Sequence, residues 1–122
     1  MFGLTEATYI AMLCGSYWGG EMEVRYDFGG SYNVIDCVTE NHVIEFGLDK
    51  SSSRDSIVQA VVAGHVLGKT PIVFIVDQDQ KLQKHELEIY LTCTRTRGVI
   101  CMVGYVDLEG KVTITQSEKP RD

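Results

Sequence analysis

Two acidic residues, Asp36 and Glu45, lie in neighbouring apolar segments of the chain, where they could together hold a divalent cation. Both segments are rich in the β-branched and apolar residues typical of strands, and the short polar connection at residues 40–42 predicts a hairpin. Hard cations such as Mg²⁺ prefer carboxylate oxygens at fixed positions, which two adjacent strands can supply. The sequence therefore predicts a metal site on this hairpin.

The remaining segments predict the elements that must position the hairpin. Apolar spacing predicts helices at residues 4–14, 57–66 and 82–96, and strands at residues 21–28, 32–39, 43–48, 72–76, 99–106 and 112–115. Ser53 is the predicted cap of the second helix and Gly68 its stop, while the polar tail from residue 116 is predicted to be loose. This order indicates an α/β fold with a mixed central sheet flanked by helices.

Length and composition limit the number of domains, the binding partners and the location that can be expected. The 122 residues, of which 44% are hydrophobic, suit a single domain, residues 1–122, with one core. A formal net charge of −6 argues against non-specific binding to a phosphate backbone, although it leaves room for a local basic groove. No apolar run reaches the roughly 18 residues that cross a bilayer, and the N-terminus lacks a secretory signal pattern. We expect a cytoplasmic protein that does not contact membranes.

The four cysteines, at positions 14, 37, 93 and 101, have no spacing that suits zinc, and none form a Cys-x-x-Cys pair. Each lies in an apolar run. They are therefore predicted to be small apolar core residues in preference to disulfides or metal ligands.

One continuous stretch carries a family resemblance. Residues 34–50 read V-I-D-C-V-T-E-N-H-V-I-E-F-G-L-D-K, and I-V-Q-A follows at residues 57–60. This pattern resembles the core of the PD-(D/E)XK nuclease-like, or restriction-endonuclease-like, superfamily, in particular its small bacterial members. The resemblance covers about residues 20–77. It implies an α-β-β-β-α-β core, here followed by a further helix and strands, and a metal-dependent phosphodiesterase or endonuclease that acts on DNA.

The resemblance also implies roles for individual residues. Asp36 and Glu45 would be the metal carboxylates, and the backbone carbonyl of Phe46 would be a third ligand. One or two Mg²⁺ or Mn²⁺ ions would be the cofactor. Gln59 matches a helix glutamine whose amide can orient backbone or water.

The chain departs from the family pattern at the lysine that follows the second acidic residue. Gly47 occupies that place, and glycine has no side chain to hold a proton or to stabilise negative charge. Lys50 is the candidate substitute for the catalytic lysine. Glu6, on the first helix, or Glu21, on the first strand, is a candidate for a further acidic ligand.

The missing lysine supports an alternative hypothesis from another functional class. A catalytically inactive nuclease-fold module could bind a protein partner or a second copy of itself, and the acidic net charge is compatible with that role. Nucleases of this fold often pair to cut both strands, so either hypothesis permits a homodimer. Tyr17, Trp18 and Tyr26 could stack on unpaired bases, but aromatic residues in such places more often seal the edge of a core.

Overall fold

The alternating and β-branched segments form the strands of one mixed sheet. The computed structural model describes residues 6–47 and 55–118, and in these ranges it contains six strands and three helices. The strands are β1 (Glu21–Phe28), β2 (Ser31–Val38), β3 (His42–Gly47), β4 (Thr70–Val76), β5 (Ile100–Val106) and β6 (Val112–Glu118). The helices are α1 (Glu6–Ile10), which continues as a π-helical segment (Ala11–Trp18), α2 (Ser56–Leu67) and α3 (Lys84–Thr94).

The strands lie in the sheet in the same order as in the chain. β1, β2 and β3 pair antiparallel, β3, β4 and β5 pair parallel through the crossover helices α2 and α3, and β5 pairs antiparallel with β6. The order of elements and the single α/β domain with a mixed sheet, both predicted from the sequence, are confirmed. The apolar run at residues 72–76 is a buried parallel strand, as its composition indicated.

The helices cover both faces of the sheet. On one face, Leu13 and Cys14 of the π-helical segment pack with Ile44, Phe46 and Phe74. On the other face, α2 and α3 bury their apolar side chains against the alternate residues of β4 and β5. The result is a three-layer arrangement with the sheet in the middle. None of the helices in the described ranges is long and apolar enough to span a bilayer.

The first helix extends further than its sequence pattern indicated. Residue 14 was the predicted end, because Gly15 follows it, but the π-helical segment continues to Trp18. Gly19 ends it in the left-handed conformation, with φ at 63°, and the N–H groups of Gly19 and Gly20 donate to the Cys14 carbonyl. The pair Gly19 and Gly20, and not the isolated Gly15, is therefore the stop.

The predicted loose tail is also partly wrong. β6 continues past residue 115 to Glu118, since pairing with β5 satisfies its backbone groups as far as the pair Cys101 and Glu118. The polar composition of the tail does not indicate that it pairs with β5. The predicted helix cap Ser53 lies outside the described residues, and the described part of α2 begins after Asp55.

Candidate functional site

The predicted acidic pair lies where β2 and β3 separate. In the described residues, the backbone ladder between these strands consists of two pairs, Cys37 with Ile44 and Val38 with Val43. The next position along the same register belongs to Asp36 and Glu45. The hairpin therefore brings the two predicted metal carboxylates together, just beyond the last backbone pair.

Beyond the last backbone pair, the two side-chain carboxylates serve as acceptors for backbone N–H groups. The Asp36 N–H donates to Glu45 Oε2 at 3.3 Å, and the Phe46 N–H donates to Asp36 Oδ2 at 2.9 Å. Each side chain thus accepts a hydrogen bond from the opposite strand. This reciprocal arrangement fixes both carboxylates in the gap between the strands.

Glu45 is buried, with 6% of its surface exposed, and it lies beside Tyr26 of β1. Burial, and secondly the charge of Glu45, raise the pKa of the Tyr26 phenol above its ordinary value. Tyr26 packs in the apolar cluster that includes Val43 and Ala63, which confirms that it is a core residue. Its alternation pattern predicted a strand, but nothing local to β1 reveals that the phenol adjoins Glu45.

β1 is irregular at the position level with Asp36. The pairs of β1 with β2 include Met22 with Cys37 and Val24 with Ile35, and the intervening residue Glu23 has a positive φ of 53°. A non-glycine residue in this conformation is uncommon, and such outliers cluster at functional sites. Asp36 therefore lies at an interruption of the sheet on both sides.

The other predicted site residues lie on several different elements or outside the described residues. Gln59 is exposed on α2, one turn before Ala63, and Glu21 is exposed at the start of β1, paired with Val38. The ring of Phe46 contacts Trp18 and Phe74 on the opposite side of the sheet from α2. Lys50 and the side chain of Glu6 lie outside the described residues.

A second acidic group, which the sequence analysis missed, lies after β4. Carboxylate oxygens of Asp77, Asp79 and Glu86 are within 4.8 Å of one another, so this group could hold a metal ion. Asp77 and Glu86 are buried, and Asp79 is exposed. The position of Asp77 at the carboxyl end of a buried parallel strand is the signal that could have pointed to it.

Local backbone contacts occupy these carboxylates. The Leu82 N–H donates to both Asp77 oxygens at 3.2 and 3.1 Å, the Lys81 N–H donates to Asp79, and the Gln83 N–H donates to Glu86 within the capping box of α3. Burial, followed by the hydrogen bond with Asp79, raises the pKa of Asp77, whereas the Lys81 N–H and the Gln83 amide lower the pKa of Asp79. The group closes a turn and starts a helix.

Replacing Asp77 with asparagine should raise the free energy of unfolding near neutral pH by about 1 kcal/mol or less. Because the pKa of Asp77 is raised, the folded chain binds its proton more tightly than the unfolded chain, and ionisation above that pKa costs stability. Asparagine removes the charge and keeps an acceptor for Leu82. Urea denaturation at several pH values measures this, and the native chain should lose stability, relative to Asp77→Asn, as the pH rises through the raised pKa. A less stable variant at neutral pH would contradict the prediction.

A cleft of about 360 Å³ lies between α2 and α3, and its lining includes Ile57, His85, Glu88, Ile89 and Thr92. Neither Asp36 nor Glu45 is among these residues. The candidate site is therefore the gap between β2 and β3, and not this cleft.

Comparison of the chain with protein-family models, with curated proteins and with solved structures found no match.

Proposed function

We propose that the chain is a metal-dependent phosphodiesterase acting on DNA, built on a restriction-endonuclease-like fold, with Asp36 and Glu45 as the carboxylates that hold the cation. The observation that supports this most is the reciprocal pair of hydrogen bonds by which each carboxylate accepts an N–H of the opposite strand. Acidic side chains placed this way at a break in a sheet are pre-positioned before any ligand binds, which is what a metal centre requires.

The donor chemistry fits Mg²⁺ or Mn²⁺. A carboxylate has two oxygens and about four lone-pair directions, so acceptance of one N–H is compatible with coordination of a cation. A divalent ion would balance the negative charge that two carboxylate ligands bring to one site. The Phe46 carbonyl, adjacent to Glu45 in the chain, is the proposed third ligand, and the site would take one or two ions.

The chain's own residues would bind and orient the substrate phosphate around this centre. A bound cation supplies Lewis acidity toward the phosphodiester. Asp36 and Glu45 hold their positions through the hydrogen bonds to the opposite strands, Lys50 is proposed to stabilise the developing negative charge, and Gln59 on α2 is proposed to orient water. Two copies of the chain would be needed to cut both strands at one place, so a homodimer is part of the proposal.

One observation favours a second candidate function, an inactive module of the same fold that binds a protein partner or its own copy. Gly47, in the place of the family's lysine, is buried at the end of β3. A buried glycine there can neither transfer a proton nor stabilise charge with a side chain.

Cleavage of plasmid and of single-stranded oligonucleotides, with Mg²⁺, with Mn²⁺ or with a chelator, tests the proposed function. The native chain should cleave only with a divalent ion, and the double variant Asp36→Asn/Glu45→Gln, purified identically, should show only the background of the preparation. The amide side chains keep an acceptor for the Asp36 and Phe46 N–H groups, so the fold should persist. Equal cleavage by both proteins, or none by the native chain, would leave the inactive module as the better account.

A further inference from the structure

We infer that the disulfide between Cys14 and Cys37 is a clamp that holds Asp36 opposite Glu45, and that reduction of this bond loosens the position of Asp36. All four cysteines of the chain are paired, Cys14 with Cys37 and Cys93 with Cys101, so the prediction of unpaired apolar cysteines is wrong. The effect on catalysis rests on the proposed function, but the effect on the position of Asp36 does not.

The position of Asp36 depends on more than regular backbone pairing, because its hydrogen bonds with β3 form through side chains. It lies one residue beyond the last β2–β3 pair, Cys37 with Ile44, and level with the irregular residue Glu23 of β1. The regular ladder therefore does not fix Asp36 from either neighbouring strand. Its two chain neighbours are also held, Ile35 by burial in the cluster beneath α2 and Cys37 by a covalent bond on the other face of the sheet.

The covalent bond anchors β2 to the π-helical segment. Cys14 and Cys37 are both 0% exposed, and they are separated by 23 positions in the chain. Trp18, at the end of the same segment, contacts the rings of Phe46 and Phe74. The disulfide thus joins the strand that carries Asp36 to a helix that is itself packed on β3 and β4.

The backbone at Gly20 packs directly against this disulfide. A Cβ atom at Gly20 would be 2.7 Å from Cys37 Sγ and 2.9 Å from the Val38 carbonyl oxygen, so only glycine allows the close approach. The Gly20 N–H donates to the Cys14 carbonyl at 2.8 Å. The sulfur atoms are enclosed by backbone, and a reductant reaches them only when this corner of the molecule opens.

The second disulfide provides a matched control. Cys93 of α3 and Cys101 of β5 are as deeply buried, at 0% and 1% exposed, but they pack in the α2–α3 cluster and are separated by 8 positions. Neither residue adjoins Asp36 or Glu45 in the chain, and Val73 of β4 lies between Cys101 and Glu45 in the strand register. Its removal tests for the general effect of losing a buried crosslink.

The redox step is a thiol–disulfide exchange. A dithiol attacks one sulfur of the Cys14–Cys37 bond and then closes to its own cyclic disulfide. Two electrons and two protons pass to the cysteines, which become two thiols. Cys37 is then held by packing and by its backbone pairs with Ile44 of β3 and Met22 of β1.

Hydrogen exchange at single-residue resolution tests the clamp, because the N–H groups of Asp36 and Phe46 are the ones that the two carboxylates protect. The comparison uses the oxidised native chain, Cys14→Ala/Cys37→Ala and Cys93→Ala/Cys101→Ala. We expect exchange at these two amides to become at least about tenfold faster in the first variant, with less than about a twofold change in the second. The amides of β4 and β5 should keep their protection in the first variant. The native chain, exchanged with and without a dithiol, repeats the measurement without any substitution.

Unchanged exchange at Asp36 and Phe46 in the first variant would overturn the clamp, as would loss of protection spread through β4 and β5 in both that variant and the reduced native chain. Peptide mapping without reductant should recover Cys14 linked to Cys37, and free thiols there would also overturn it. Local loss of protection in a native chain that never cleaves DNA would support the clamp and reject the proposed function.

Discussion

Asp36→Asn and Glu45→Gln, made singly, should each lower metal-dependent cleavage of DNA by at least about 100-fold, the scale on which loss of one group in a charge-stabilising site acts. Each replacement removes one negative charge from the gap between β2 and β3 and keeps an oxygen that can accept the N–H of the opposite strand. The free energy of unfolding should therefore change by less than about 1 kcal/mol. Initial rates at saturating Mn²⁺, with urea denaturation of the same preparations, measure both quantities.

Asp77→Asn is the control that tests whether the metal is held by Asp36 and Glu45 or by the second acidic group, which includes Asp77. It removes a buried carboxylate of similar charge from the second group, so it should leave the cleavage rate within about twofold of the native value. If Asp77→Asn abolishes cleavage while Asp36→Asn does not, the metal centre belongs after β4 and the assignment to Asp36 and Glu45 is wrong.

Phe74→Ala should lower the free energy of unfolding by about 3–5 kcal/mol, the usual cost of deleting a buried aromatic ring. Phe74 is 0% exposed in β4, and its ring contacts those of Trp18 and Phe46. Alanine would leave a cavity between the π-helical segment and the sheet. The loss is large beside the 5–15 kcal/mol that typically stabilises a domain, and urea denaturation at equilibrium measures it.

Phe28→Ala is the matched control, since Phe28 is 48% exposed at the end of β1. The same change of side chain there should cost less than about 1 kcal/mol. Similar losses for both variants would mean that the three-ring contact around Phe74 does not carry the packing of the π-helical segment.

The sequence was most informative where the pattern is local. Strand alternation and the polar turn at residues 40–42 placed Asp36 and Glu45 on adjacent strands, and hairpin register then brings them level. The order of helices and strands also followed from local periodicity and from glycine stops, because each element buries one face of its own pattern.

The features that escaped prediction depend on contacts between distant parts of the chain. Cys14 meets Cys37, and Cys93 meets Cys101, only after helices have packed on strands, so the spacing of cysteines carries no sign of it. The acidic group that includes Asp77 is assembled from a strand end, a loop and a helix start. The role of Lys50 stays a prediction, since it lies outside the described residues.

Because the six strands of the described ranges lie side by side in chain order, each new strand docks on the one made just before it. During synthesis from the amino end, each strand after β1 would therefore emerge when the strand with which it pairs has already been made. No segment has to be threaded between two strands that have already joined, which lowers the entropic cost of long-range closure. We expect the sheet to form strand by strand during synthesis. The unpaired edge of the strand added last, and not the centre of the sheet, would then be the surface most prone to aggregation.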